Sequence, residues 1–444
     1  MALNDSAAAD ILNKFSEMVQ SYYEQLNTQK QLSLNEVNQL YSKLKNLEKV
    51  TVWKDEQENC IISDILMYIE IILTFVSNTS AFEFRQLKSF INIYLGALLE
   101  VLATASFRNK FIINCTDKVF NMFLYYKFNF VAVEGLLALF NEIASTVRLE
   151  VRKETGESLI HYVYQLIDTL ILFGDYVIQS HVIETIFHIF GSFIMQSDLS
   201  YPLFPNDAEL DASLKEVNCP KLYDEKVRLW LNKFNMRNPK ILSLACQTIL
   251  IGDYYCLPPK GFDTLWVDFN IEDKTVAFYC NSANDTVNRV YIVSKNVKNI
   301  HINRQLGKKE AILRLKLSKA CITNVDQNIW DSMPKNIKIV IQNQEKEISN
   351  LIRTILPRLF KDVFSHVSPK ISRSLKEVYK PLRIKQYRVS TVNHKSTGKS
   401  TSSNKKVSNN DADLNSSTEV HIPESQSSLK FSKPTDYITS PVSI

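Results

Sequence analysis

The chain has 444 residues, room for two or three domains, and an apolar content of 45%, enough for packed cores. Its formal net charge of +5 is unevenly placed: residues 370–406 hold eleven Lys or Arg and one acid, residues 407–444 hold five acids and two lysines, and the first 369 positions are slightly acidic, so the basic character is assigned to the tail. Seven cysteines without a CxxC pair argue against a disulfide framework or a zinc ribbon.

Neither a basic n-region nor a run of 18 uncharged apolar residues is found, which argues against secretion and a membrane span and leaves a reducing cytosolic or nuclear setting. Cys60, Cys115, Cys246 and Cys280 lie among apolar neighbours and read as small core residues.

No proline precedes Pro202 and only five glycines do. Because an interior Pro costs ~3 kcal/mol and a Gly ~1 kcal/mol in a helix, that absence predicts an all-α region. Apolar periodicity places helices near 5–27, 33–48, 56–77, 83–104, 108–125, 129–148, 153–173 and 177–196. The clearest is 153–173, where Leu159, Val163, Leu166 and Leu170 line one face. Helices of this length on short loops, without a fixed repeat, predict an irregular armadillo-like α-solenoid over residues 1–250. Residues 199–221 read as a loop, and two further helices are expected near 222–236 and 239–250.

Leu257-Pro258-Pro259-Lys260-Gly261 punctuates the change from helix to strand. In 261–280, Leu265, Val267, Phe269 and Ile271 alternate with Thr264, Trp266, Asp268 and Asn270, the pattern of a half-buried strand. A turn at Glu272-Asp273 pairs Leu265 with Cys280, Val267 with Phe278 and Phe269 with Val276, unless a bulge moves the register by one. Strands follow at 286–293, 297–302, 310–317, 320–325 and 336–341, then a helix from about 342 to 364 that Pro357 should kink or end. This is the pattern of a pleckstrin-homology-like domain over 257–365, and the Ser-, Asn- and Lys-rich remainder, 366–444, reads as a disordered tail.

Catalytic signatures are not found: there is no phosphate-cradling glycine loop, no H-E-x-x-H and no nucleophile elbow, so no enzyme, cofactor or metal is expected. His181 and His188 read as core or boundary residues, and Asp175, after Gly174, as the cap of the next helix. The acidic loop Ile271-Glu272-Asp273-Lys274, taken as the one between the first two strands, argues against phosphoinositide binding.

Trp266 and Tyr279 form a cross-strand aromatic pair off the main apolar face. Coverage by the helical region or the C-terminal helix is the favoured reading, and a partner anchor the other. Lys370, Arg373, Lys376, Lys380, Arg383, Lys385, Arg388, Lys395, Lys399, Lys405 and Lys406 are candidates for contact with DNA phosphates or acidic proteins. Ser368 and Ser440 each precede a proline and are candidate phosphoacceptors. Tyr437 and Ile438 are apolar points of a candidate linear motif between Phe431 and Ile444.

Three segments carry a resemblance. Trp266-Val267-Asp268-Phe269-Asn270 followed by Phe278-Tyr279, Gly174-Asp175-Tyr176 with Gln179, and Leu229-Trp230-Leu231-Asn232 with Asn235 together resemble the N-terminal region of the synaptonemal complex protein 2 family, over about 80–365. The resemblance implies an armadillo-like domain packed on a pleckstrin-like domain related to the middle domain of a histone chaperone. It also implies a nuclear component of the meiotic chromosome axis, part of its axial and lateral elements, that recruits HORMA-domain proteins and cohesin-associated axis components and supports synapsis and segregation. Vertebrate relatives end in a coiled coil. This sequence stops at Ile444 without heptads, so coiled-coil assembly is not expected, and it reads as a short member or an isoform. The alternative is a chromatin-binding module that engages histones or DNA through the pleckstrin-like domain and the basic tail.

Overall fold

Helix caps written into the sequence open the first layers of the fold. In the computed structural model, Ser33 caps its helix reciprocally with Glu36, the Ser33 hydroxyl accepting from the Glu36 amide at 3.3 Å and Glu36 accepting from the Ser33 amide at 2.7 Å. Thr104 and Asn129 cap later helices one way only, their side-chain oxygens accepting from the Phe107 and Ala132 amides. The structure describes residues 5–363 except 29, 51–54, 80–83, 197, 218–222, 238–239, 260–261, 282–286, 305–309, 320, 324–334, 343–344 and 362. The candidates at 368–444, including the basic run, Ser368, Ser440, Tyr437 and Ile438, lie outside the described residues.

The helices are α1 (Asp5–Asn27), α2 (Leu34–Leu47), α3 (Asp55–Asn78), α4 (Phe84–Val101), α5 (Ala105–Tyr126), α6 (Phe130–Ser145), α7 (Leu149–Ser158), α8 (Tyr162–Leu170), α9 (Tyr176–Gln196), α10 (Ala208–Lys215) and α11 (Tyr223–Asn235). Most pack on elements one to three places along the chain, such as α1 on α2 and α3, α4 on α6, and α6 on α9. One apolar core runs through them from Leu12 to Ile241. Gln57–Asn78 and Tyr176–Gln196 are long and apolar enough to cross a membrane by composition, but 61% and 78% of their most apolar windows are buried within the fold. Of the cysteines read as core, Cys115, Cys246 and Cys280 are buried, whereas Cys60 is exposed because α3 turns Ile61, Ile62 and Ile65 inward instead.

Three expectations are corrected here. The helix expected over 153–173 is broken between Ser158 and Tyr162. Gly156 accounts for the placement of its first half: a Cβ there would lie 2.3 Å from the Ile189 carbonyl oxygen, so α7 comes closer to α9 than a longer helix could follow. The stretch 199–221, read as a loop, contains α10, capped by Asp207, whose carboxylate accepts from the Leu210 amide at 3.0 Å. The helix expected at 239–250 is a strand, and the sheet therefore begins well before residue 257. Its Ile- and Thr-containing sequence, ILSLACQTILI, gains three hydrogen-bonded partner strands, and that tertiary pairing decides the conformation.

The sheet is antiparallel and curled. Its strands are β1 (Ile241–Ile251), β2 (Tyr254–Cys256), β3 (Leu265–Asn270), β4 (Thr275–Asn281), β5 (Val287–Val293), β6 (Val297–Arg304), β7 (Glu310–Leu317), β8 (Ile322–Thr323) and β9 (Asn336–Gln342). Their order is β6-β7-β9-β1-β3-β4-β5-β8, with β2 beside β1. Val267 pairs with Phe278 and Phe269 with Val276, the expected register. The four-residue turn needs no bulge because Lys274 takes a left-handed backbone, φ 50°. It joins the third and fourth strands, whereas the first two meet at Gly252, φ 62°, so the loop used to argue against phosphoinositides is not the first one.

After β9 the chain forms helix Glu345–Asn350, a π turn over Leu351–Ile355 and helix Leu356–Leu359. The wider turn lies just before Pro357, which has no amide hydrogen to give the ladder. Helices and sheet together make a mixed α+β chain within one compact unit.

Candidate functional site: a buried polar seam

The second face of β3 is not turned to water. Asp268 and Asn270, expected on the open side of a half-buried strand, are 1% and 0% exposed. Burying a carboxylate requires a paired cation, and α11 supplies it. Arg228 reaches Asp268 from both guanidinium nitrogens, at 3.0 and 2.8 Å, and Ser243 of β1 donates to the same carboxylate at 2.6 Å. The Arg228 guanidinium also lies 3.9 Å from the ring centre of Tyr176 and 5.2 Å from that of Trp266.

A second cluster is built around Arg289 of β5. It donates to Glu134 of α6, and its other end group lies 3.6 Å from Asp175. Lys88 of α4 meets Glu134 at 2.5 Å and donates to the Tyr291 hydroxyl at 2.9 Å. Burial works to raise the Glu134 pKa, but the cations Arg289 and Lys88 hold it down at about 2. In the β3–β4 turn the balance runs the other way: burial, then the negative charge of Asp175, pushes Asp273 up to about 8.

Asp175 joins the clusters. It caps α9 as expected, accepting from the amides of Val177 at 2.7 Å and Ile178 at 3.2 Å. Its other oxygen accepts from the Asn270 amide group at 3.4 Å. The Asn270 carbonyl oxygen accepts from the Tyr176 amide at 3.4 Å. Gln179 and Asn235 exchange side-chain amide bonds of 3.0 and 2.7 Å, and Gln179 also donates to the carbonyls of Leu170 and Phe173. The absent side chain of Gly174 matters as well, since a Cβ there would lie 2.3 Å from the Glu272 side chain. Residues of all three resembling segments therefore reach one seam, where helices α6, α9 and α11 meet β3, β4 and β5, although the third contributes only Asn235, its Trp230 instead donating to the Leu210 carbonyl.

Trp266 and Tyr279 both belong to it. Trp266 is half-buried with Arg228 over its ring, and Tyr279 is half-buried, packed against the helical core with Arg289 5.8 Å from its ring centre. The polar partners were missed because each lies far along the chain from its counterpart. The available signal was the side-by-side placement of Asp268 and Trp266 on one strand face, an acid beside a large aromatic.

His181 and His188 are buried residues of α9, and His181 is near enough to Glu134 to help lower its pKa. Glu184 sits between them, 3.4 Å from His181 Nδ1 and 3.6 Å from His188 Nε2, and Asn141 donates to it at 3.1 Å. Burial raises the Glu184 pKa, and the hydrogen bonds from both imidazoles outweigh it, leaving the carboxyl far below its ordinary value. Among the described residues no group of three or more His, Cys, Asp or Glu is arranged to hold a metal ion. What the seam can do is mechanical: it fixes the sheet on the helices through paired, desolvated charges.

No family model matches the chain, and no curated protein matches it. Among solved structures it is similar to one described as a synaptonemal complex protein, with a TM-score of 0.54 and 14% identity over 79% of this chain and 87% of that one. The chain has the fold of a synaptonemal complex protein.

Proposed function

We propose that this chain is a non-enzymatic structural and recruitment component of the meiotic chromosome axis, acting in the nucleus within axial and lateral elements. The observation that carries the reading is the fold likeness to a synaptonemal complex protein across 79% of the chain. It is supported by residues of the resembling segments bonding to one another, Asp175 with Asn270 and Gln179 with Asn235. In this reading the helical region is an armadillo-like platform and the sheet with its C-terminal helix a pleckstrin-like module of the synaptonemal complex protein 2 kind. HORMA-domain proteins and cohesin-associated components are the partners it would bring together.

Immunolocalisation on spread meiotic chromosomes tests this directly. Continuous axial staining in prophase is the expected result. Expression in non-dividing somatic cells with no chromosomal staining in meiosis would replace the proposal with an adaptor role outside meiosis.

A further inference from the structure

The folded body carries a concentrated positive surface of its own. Between Lys295 and Gln342 the sequence holds ten Lys or Arg against three acids, although the first 369 residues taken together are slightly acidic. The assignment of basic character to the tail alone is therefore corrected.

Strand pairing brings three of these cations, Arg314, Lys316 and Lys338, together. On the outward side of β6, β7 and β9, His301 is opposite Arg314 and Arg314 is opposite Lys338, forming one row across three strands. Two residues along, Asn299, Lys316 and Asn336 form the next row. The intervening residues of β7, Leu313, Leu315 and Leu317, are buried, and Arg314 and Lys316 are exposed. A shallow hollow lies over these two rows, and no carboxylate lines it.

Like charges directly opposite one another on a sheet are destabilising, so Arg314 facing Lys338, with Lys316 two residues along, runs against the stability of the fold. Departures of this kind mark functional surfaces. We propose that this face is a nucleic-acid surface that takes the phosphate backbone of duplex DNA without reading its sequence. With strands ~4.8 Å apart and rows two residues, ~7 Å, apart, the patch measures on the order of 10 by 7 Å. Duplex DNA carries one charge per ~1.7 Å of axis and presents several phosphates to such a patch. Arg, Lys, His and Asn side chains are the donors that phosphate oxygens accept from. The first row continues through Leu250 of β1 to the exposed Tyr255 of β2, so an aromatic stands at its edge, but the hollow itself is lined by Asn299, His301, Arg314, Lys316, Asn336 and Lys338, donors that favour phosphate. The inference does not rest on the meiotic reading, and either can fail alone.

The test uses the full chain. Binding to a random-sequence duplex is measured by fluorescence anisotropy across a salt series, for the parent and for R314Q/K316Q/K338Q, with thermal melting as the check on folding. Loss of up to three phosphate contacts is expected to lower the slope of log K against log salt by ~2–3, with affinity falling at least ~10-fold. If the triple variant fails to fold, K316Q alone is expected to lower the slope by about 1. Three results overturn the proposal: a slope and affinity unchanged in a folded variant; complete loss of binding on changing Lys395, Lys399, Lys405 and Lys406 to Gln while the sheet variant binds as the parent does; or loss only of binding to polyglutamate or phosphatidylserine vesicles.

Discussion

Arg289 on β5 donates to Glu134 on α6, 155 residues earlier in the chain, and both side chains are largely withdrawn from water. Arg228 of α11 and Asp268 of β3, two strands away, form a second such pair with the cation on the helix and the acid on the strand. Such pairs contribute less by mutual attraction than by the penalty for separating them, since either member left alone is a buried, uncompensated charge. A small shift of the sheet against the helices would separate both pairs together, and the seam thereby selects one orientation.

Arg228→Ala is expected to cost about 3–5 kcal/mol, because Asp268 would stay buried without its cation. Replacing both partners, Arg228→Met with Asp268→Leu, is expected to recover most of that loss. Urea unfolding of the single and double variants measures the difference, and equal losses in both would refute the pairing argument.

Trp266→Ala is expected to destabilise by less than the ~3–5 kcal/mol of a fully buried Trp, because the ring is only half-buried under Arg228. A variant that melts with the parent but fails to reach meiotic axes would assign the ring to a partner instead.

The pH dependence has two limbs with opposite signs. The folded pKa of Glu134, about 2, lies below the ordinary 4.5, so its contribution is present above that value and is lost as pH falls through 2. Asp273, at about 8, lies above the ordinary 3.8, so the folded form keeps a proton that the unfolded chain releases, and stability falls as pH rises from 3.8 towards 8. Asp273→Asn is expected to melt above the parent at neutral pH and to flatten the alkaline limb. Glu134→Gln should flatten the acid limb while lowering stability at neutral pH, where Arg289 and Lys88 lose their counter-charge. Melting temperatures across a pH series check both.

Gly174→Val is expected to displace the β3–β4 turn, because its side chain would occupy the space of Glu272. Loss of protection from hydrogen exchange at 271–275, with the helical core still protected, is the result to look for.

Much of this was legible in the sequence where the signal is local. Periodicity gave α1 its observed bounds, 5–27, and alternation gave the hairpin register that pairs Val267 with Phe278. Strand 241–251 was misread because its side chains follow no clean period of two: it is flanked by three strands, and its burial pattern is mixed. The polar face of β3 was misread for the complementary reason, since alternation shows which residues share a face but not what covers that face. Only partners brought from α11, β1 and the start of α9 give Asp268 and Asn270 their meaning.

That separation along the chain also bears on synthesis. Glu134 and Asp175 leave the ribosome well before Arg289, and at roughly 5–20 residues per second the 155 positions between Glu134 and Arg289 take on the order of 10–30 s to make. During that interval Glu134 has Lys88 of α4 but not Arg289, and Arg228 of α11 waits a shorter time for Asp268. A nascent chain in this state is a natural client for chaperones, and a ribosome stalled before residue 289 would release a helical stack with Glu134 and Asp175 still lacking the cation of β5.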